Sequence, residues 1–117
     1  MDIDHAVETL TALAHGDRLA AFRLLVKAGP DGLASGAVAE RLSIAPTRMS
    51  FHLSSLERSG LLKARRAGRH IFYSVRYDKM RDLLVFLTED CCGGHPNICR
   101  GLQDIRPPFE DRQAPIE

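Results

Sequence analysis

VAERLSIAPTRMSFHLSSLERSGLL, residues 38–62, holds two short helical patterns separated by three residues. Val38, Ala39 and Leu42 form the apolar side of the first, and Ser35 is a suitable cap for it. Ser43-Ile44-Ala45 is the connector. Pro46 then opens the second helix, because its missing N–H costs nothing at a first helical position. That helix runs to about Ser59, where Gly60 ends it. Two helices joined by so tight a turn have the spacing of a helix-turn-helix. At about 100° per residue, Met49, Leu53 and Leu56 fall on one stripe and mark the core side. Thr47, Arg48, Phe51, Ser55 and Arg58 lie opposite, with His52 at the edge.

Downstream, LLKARRAGRHIFYSV, residues 61–75, reads as two extended runs about a turn at Ala67-Gly68. The second run alternates Ile71, Tyr73 and Val75 against Phe72 and Ser74, as a strand should. Upstream, Ile3, Ala6, Val7, Leu10, Leu13 and Ala14 recur at helical spacing, with Asp2 or Asp4 placed to cap them. A second helix runs from near Asp17 to Ala28, bearing Leu19, Phe22, Leu25 and Val26, and Gly29-Pro30 stops it. Met80, Leu83, Leu84 and Leu87 give a fifth helix with Asp78 as its cap. The expected fold is mainly α with a β-hairpin wing, a winged helix-turn-helix occupying residues 1–100. Residues 101–117, with Pro107-Pro108, Pro115 and little to bury, are expected to be a loosely ordered tail.

A chain of 117 residues that is 44% hydrophobic supports one domain with a modest core. The net charge of +1 conceals an uneven distribution. Residues 1–40 carry three basic and six acidic side chains, residues 41–81 ten and two, and residues 82–117 three and seven, for net values of −3, +8 and −4. A central basic block in an otherwise acidic chain is the footprint of a phosphate-docking surface. No run approaches a membrane span, and MDIDHAVETL lacks the basic and apolar regions of a signal peptide. The cytoplasm is the expected location.

The outward face of the second helix suits the major groove. Arg48 offers a bidentate fork to guanine, and Thr47 reaches a base edge or a phosphate. Ser55 and Arg58, further along, are placed for the DNA backbone. Phe51 either touches a thymine methyl or folds back on a neighbouring side chain. Lys63, Arg65, Arg66, Arg69 and His70 cluster around the hairpin tip, where they can enter the minor groove or straddle phosphates. One module of this size buries too little surface for strong specific binding, so a symmetric homodimer on double-stranded operator DNA is expected. The apolar first and last helices are available for that dimer, for the core, or for both. There is no Cys–His–acid grouping on rigid elements and no phosphate-binding loop, so an enzyme is not expected.

All three cysteines, Cys91, Cys92 and Cys99, lie in CCGGHPNIC. Clustered thiols in a cytoplasmic chain point to a metal or redox site more than to a structural disulfide. Gly93-Gly94 lets the chain turn back so that Cys99 reaches the same point as the adjacent pair. Three thiolates make a small, soft, trigonal site suited to As(III) or Sb(III), whose lone pair fills the fourth direction. Zinc would want a fourth ligand, for which His95 is the nearby candidate, unless His95 is a solvated loop residue. Redox sensing through a disulfide is the alternative use of the thiols.

With these residues in view, the chain resembles the ArsR/SmtB family of bacterial metal-responsive repressors. LTALAHGDRLAAFRLL, residues 10–25, is similar to the family's opening "aLadptRl-iL-lL" pattern. Ser50-Phe51-His52-Leu53 matches its S-x-H-L core, and RRAGRHIFYSV, residues 65–75, its wing. The resemblance implies a homodimer built by the terminal helices, repression by occupying a promoter-overlapping site, and release when the inducer binds. It also places Ser50 and His52 on the DNA-reading helix. Two departures bear on the inducer. GAVAERLSI, residues 36–44, has no cysteine where arsenic-responsive members carry an ELCVCDL-like motif. YDKMRDLLVFLTED, residues 77–90, has no histidine where zinc-responsive members place ligands. What remains is similar to an arsenic-responsive branch with a CC…C cluster after the last helix, implying Cys91, Cys92 and Cys99 as ligands. Methylated trivalent arsenic, held by two thiols, is a second possible inducer.

Overall fold

The computed structural model describes residues 1–88. The expected cysteine site and the 101–117 tail lie outside the described residues. The elements run α1 (Ile3–Leu13), α2 (Gly16–Ala28), β1 (Leu33–Ala34), α3 (Ser35–Leu42), α4 (Pro46–Arg58), β2 (Leu62–Ala67), β3 (His70–Val75) and α5 (Tyr77–Thr88). Met1–Leu83 forms one compact unit, and α5 continues beyond it into the second, Leu84–Glu117. The fold is a winged helix-turn-helix.

Helices α1 to α4 and the sheet enclose the core. Leu25 of α2, Val38 of α3, Met49, Leu53 and Leu56 of α4, Leu61 and Leu62 leading into β2, and Val75 of β3 are all essentially solvent-free. The stripe Met49–Leu53–Leu56 is therefore the inward face of α4, as its spacing predicts. Burying each such side chain is worth roughly 1.5–3 kcal/mol, which fixes the rotation of α4 and leaves its opposite face outside.

The ends of the two central helices are set by backbone conformation. Ser43 adopts the left-handed conformation at φ 55°, while its N–H bonds the Glu40 carbonyl at 3.2 Å and that of Ile44 the Ala39 carbonyl at 3.0 Å. The same pattern closes α4: Gly60, at φ 94°, donates to the Glu57 carbonyl, and Leu61 donates to that of Leu56. Both are Schellman closures, which satisfy the last carbonyls and reverse the chain sharply. The expected cap at Ser35 is not present. Ser35 is already the first residue of α3, and Ala34 precedes it without a side-chain bond. Asp2 does cap α1, accepting from the His5 N–H at 2.8 Å. Asp78 lies inside the first turn of α5, two residues beyond the capping position at Arg76.

The wing is part of a three-stranded antiparallel sheet in the order β1-β3-β2. Ala67 pairs with His70, so Gly68 and Arg69 form the turn, one residue later than the sequence suggests. Strand β1 leaves no mark in the sequence pattern, since two residues carry no periodicity. Its pairing of Leu33 with Tyr73 and Ala34 with Phe72 covers the other edge of β3. Gly32 enters this pairing at φ 71°, and a Cβ there would collide with the Tyr73 carbonyl.

Helix α1 departs from a simple apolar-inward reading. Its buried residues are Ala6, Thr9 and Ala12, small enough for close approach, and the Thr9 hydroxyl is satisfied by donating to the His5 carbonyl. Ile3, Val7 and Leu10 face outward, with Ile3 67% exposed. Leu84, Val85 and Leu87 of α5 are exposed as well. Large apolar side chains left outside a small core are surplus to this fold and available to a partner.

Candidate nucleic-acid interface

The face of α4 opposite the core carries Thr47, Arg48, Phe51 and Arg58, all exposed, and Ser55, half-buried. Arg58 folds along its own helix, donating from Nη1 to Ser54 Oγ at 3.0 Å and from Nη2 to Ser55 Oγ at 3.2 Å. Phe51 is 59% exposed, with the Arg18 guanidinium 5.8 Å from its ring centre. It thus offers an apolar face to solvent while touching a neighbour, combining both expected roles.

Ser50 and His52 do not join that face. Ser50 opens into a shallow cleft between α4 and the wing, together with Ser54, Glu57, Arg66 and Tyr73. Burial, reinforced by the Glu57 carboxylate, raises the Tyr73 phenol above its usual pKa, so it stays neutral. His52, expected at the helix edge, is only 5% exposed and turns toward α2. There its Nδ1 accepts a hydrogen bond from Arg18 Nε at 3.1 Å, and its ring lies 4.5 Å from that of His15. A helical wheel places a residue by angle alone; what packs against that angle is set by α2, thirty-four positions earlier in the chain.

The hairpin exposes Lys63, Arg65, Arg66, Arg69 and His70. Because strand side chains alternate, these do not share one face. Arg66 borders the α4 cleft. Arg65 pairs across the strands with Phe72, its guanidinium 4.8 Å from the ring centre, which stiffens a long side chain near the tip. Arg69 occupies the turn itself. A charged, stiffened hairpin beside an exposed helix face is the arrangement that spans adjacent grooves of a duplex.

Sequence reasoning overlooks a polar cluster beneath Arg48. Asp17, in the first turn of α2, lies 3.8 Å from Arg48 Nε and 3.6 Å from His52 Nε2. Its backbone N–H donates to His15 Nδ1 at 3.1 Å. His15, Asp17 and His52 bring three potential ligand atoms within 4.8 Å of one another. The donor set does not suit a cation. Arg18 is always protonated, so His52 Nδ1 must hold its lone pair toward Arg18 and the neutral ring carries its proton on Nε2. His15 Nδ1 is likewise an acceptor. Metal-bound histidines usually donate from the second nitrogen, the reverse of what is found here, and Arg18 and Arg48 add positive charge.

His52 has a pKa below the usual 6.5, chiefly through burial and then through the nearby His15 and Arg18. The folded state thus prefers the neutral ring, and unfolding takes up a proton wherever the free imidazole is charged. Stability from this group is fully present above about pH 6.5 and is lost as pH falls toward the depressed folded value. His52→Asn should therefore lower the melting temperature at neutral pH yet flatten its decline on acidification. An unchanged acid slope would show that another group carries it.

Among the described residues, no helix is long and apolar enough to cross a membrane. A family model described as a helix-turn-helix domain matches residues 13–65. The nodulation protein NolR of Rhizobium meliloti is 32% identical over 88 residues, covering 75% of this chain and 70% of NolR. A homodimeric winged helix-turn-helix DNA-binding domain from Mycobacterium bovis, a possible ArsR-family regulator, has a similar fold. It gives a TM-score of 0.62 at 31% identity and covers 75% of this chain and 81% of that one. The transcriptional repressor BigR of Xylella fastidiosa gives a TM-score of 0.58 at 26% identity, covering 76% and 88%. The Xylella fastidiosa protein is thus a transcriptional repressor and the Mycobacterium bovis domain a DNA-binding one. With the exposed α4 face and basic wing, they establish that this chain belongs to the winged helix-turn-helix family of DNA-binding transcriptional regulators related to the ArsR/SmtB repressors.

Proposed function

We propose that the chain is a cytoplasmic repressor that binds operator DNA as a homodimer and is released when Cys91, Cys92 and Cys99 bind As(III) or Sb(III). The observation that carries the DNA-binding half is the exposure of Thr47, Arg48, Phe51 and Arg58 on α4 beside an exposed basic wing, with the apolar side of α4 locked into the core. Arg48 and Thr47 read bases, and Ser55 and Arg58 contact the DNA backbone from the same helix; Ser50 lines the cleft beside the wing, and the buried His52 supports the helix from behind. Lys63, Arg65, Arg66, Arg69 and His70 hold phosphates. The homodimeric relative and the outward Ile3, Val7 and Leu10 support assembly in pairs.

Salt dependence tests this half. Each phosphate contact releases a counterion, so Arg65→Ala or Arg69→Ala should weaken binding to every duplex and reduce the log–log salt slope by about one. Arg48→Ala should instead change sequence preference. Salt slopes identical to wild type in both wing variants would remove the wing from the interface.

The inducer half rests on the cysteine spacing and on the unsuitability of the His15–Asp17–His52 donors for a cation. Three thiolates neutralise As(III), so the bound complex has no net charge with which to repel DNA. Release must then be geometric. Cys91 follows Thr88, the end of α5, by three residues, so closing CCGGHPNIC on the ion would pull on that helix and alter the dimer. A change in the separation of the two reading helices is enough to lose the operator. Thiol oxidation, or methylarsenite on two thiols, would act through the same helix.

A further inference from the structure

We propose that Asp17 is a positioning residue for sequence readout, holding the Arg48 guanidinium by its Nε edge so that the two terminal nitrogens are presented outward as a fork. The inference rests on the reading of Arg48 as the base-contacting residue.

The atoms involved carry the case. Asp17 Oδ2 approaches Nε of Arg48, at 3.8 Å, which leaves Nη1 and Nη2 free for the bidentate pattern that guanine requires. The carboxylate is itself restrained from two sides. It stands on the first turn of α2, and from α4 the buried Nε2 of His52 lies 3.6 Å from it. That nitrogen has no hydrogen-bond partner and is fully enclosed. A closure of a few tenths of an ångström would complete the bond, and the cost of an unsatisfied buried donor favours that closure. The ring cannot turn away, because Arg18 holds its other nitrogen and His15 lies against it. Arg18, His52 and Asp17 therefore line up from α2 along the edge of α4 to a side chain that is itself 60% exposed.

The energetic consequence has a definite sign. A free arginine loses rotamer freedom when it docks, and one held in advance loses less. The fork is thus readied for one base pair without added attraction to DNA in general. The carboxylate also opposes phosphate, so it lowers sequence-independent affinity. Both effects widen the ratio of specific to non-specific binding, the quantity that governs occupancy of an operator.

The test uses the full chain and a duplex selected by the wild-type protein from a random pool. Arg48→Ala first identifies the base pair that Arg48 reads. Asp17→Asn, which keeps the side-chain shape and removes the charge, should cut discrimination at that pair about five-fold while leaving non-specific binding unchanged or tighter. In the Arg48→Ala background, Asp17→Asn should make no further difference to discrimination. If Arg48→Ala relaxes the pair but Asp17→Asn preserves or sharpens discrimination, the positioning role is wrong and the ion pair is either idle or sequesters Arg48. Equal losses with and without Arg48 would also overturn it, since Asp17 would then act through the fold. If Arg48→Ala relaxes no position, the base-reading role fails and the positioning role falls with it.

Discussion

Gly32→Ala is expected to destabilise the protein by about 3 kcal/mol. At φ 71° an alanine sits in a conformation that L-residues adopt at a cost of about 1–2 kcal/mol. The added methyl also meets the Tyr73 carbonyl and the Ser74 side chain, so β1 must move away from β3. Overpacking of that kind costs a further 1–3 kcal/mol or so. For a domain near this size the total should lower Tm by on the order of 15 °C. Gly36→Ala is the internal control. Gly36 lies in α3, where an added methyl would meet no atom within 4 Å, and alanine is the better helix former there. Thermal unfolding followed by circular dichroism should show the two glycines acting in opposite directions. A loss below about 1 kcal/mol at Gly32 would mean that the short β1–β3 pairing is not part of the folded state's stability.

The second large effect concerns the inducer. Replacing Cys91, Cys92 or Cys99 singly with serine should leave operator affinity within about two-fold, yet abolish release by arsenite. Serine is a poor ligand for a soft trivalent centre, and losing one of three thiolates removes a third of the donor set. Both properties are read in one assay, DNA binding with and without arsenite. Full response in Cys99→Ser would reduce the site to the adjacent pair and favour methylarsenite or oxidation as the signal. Loss of DNA binding without arsenite would mean that the cysteines belong to the reading module, contrary to the proposal.

Much of the fold could be read directly because its controlling signals are local. Met49, Leu53 and Leu56 recur at helical spacing, Pro46 and Gly60 bound α4, and the LLKARRAGRHIFYSV run changes to strand alternation. Each signal depends on neighbours within a few residues, and each corresponds to an observed element. The caps expected at Ser35 and Asp78 and the hairpin turn lie a residue or two from where the local pattern puts them, but what that pattern misses outright has its origin in distance along the chain. Strand β1 exists only because Leu33 and Ala34 meet Tyr73 and Phe72. Nothing within β1 itself specifies that edge.

The candidate site divides in the same way. Exposure of Arg48, Phe51 and the wing arginines follows from the angle on α4 and the position in the hairpin. The burial of His52 does not follow, because the ring lies at the boundary of the apolar stripe and its side is chosen by Arg18 and His15 of α2. Arg18 belongs to the opening pattern by which the chain resembles its family, and His52 to the S-x-H-L core. The structure shows these two motif residues bonded to each other. Asp17 escapes a reading by pattern because an acidic residue near a helix start has an ordinary explanation in the helix dipole. Its additional contact with Arg48 arises only once α2 and α4 are packed.

Coupling between DNA and inducer is the central proposal, and by linkage arsenite must weaken DNA binding by the same factor that DNA weakens arsenite binding. The most direct measurement is a titration of the protein bound to its selected duplex, with fluorescence anisotropy of the DNA recorded as arsenite is added under reducing conditions. A coupling of at least ten-fold, about 1.4 kcal/mol, should appear as release of the duplex. Affinity that stays constant through saturating arsenite would contradict the proposed response, leaving a DNA-binding regulator whose signal lies elsewhere.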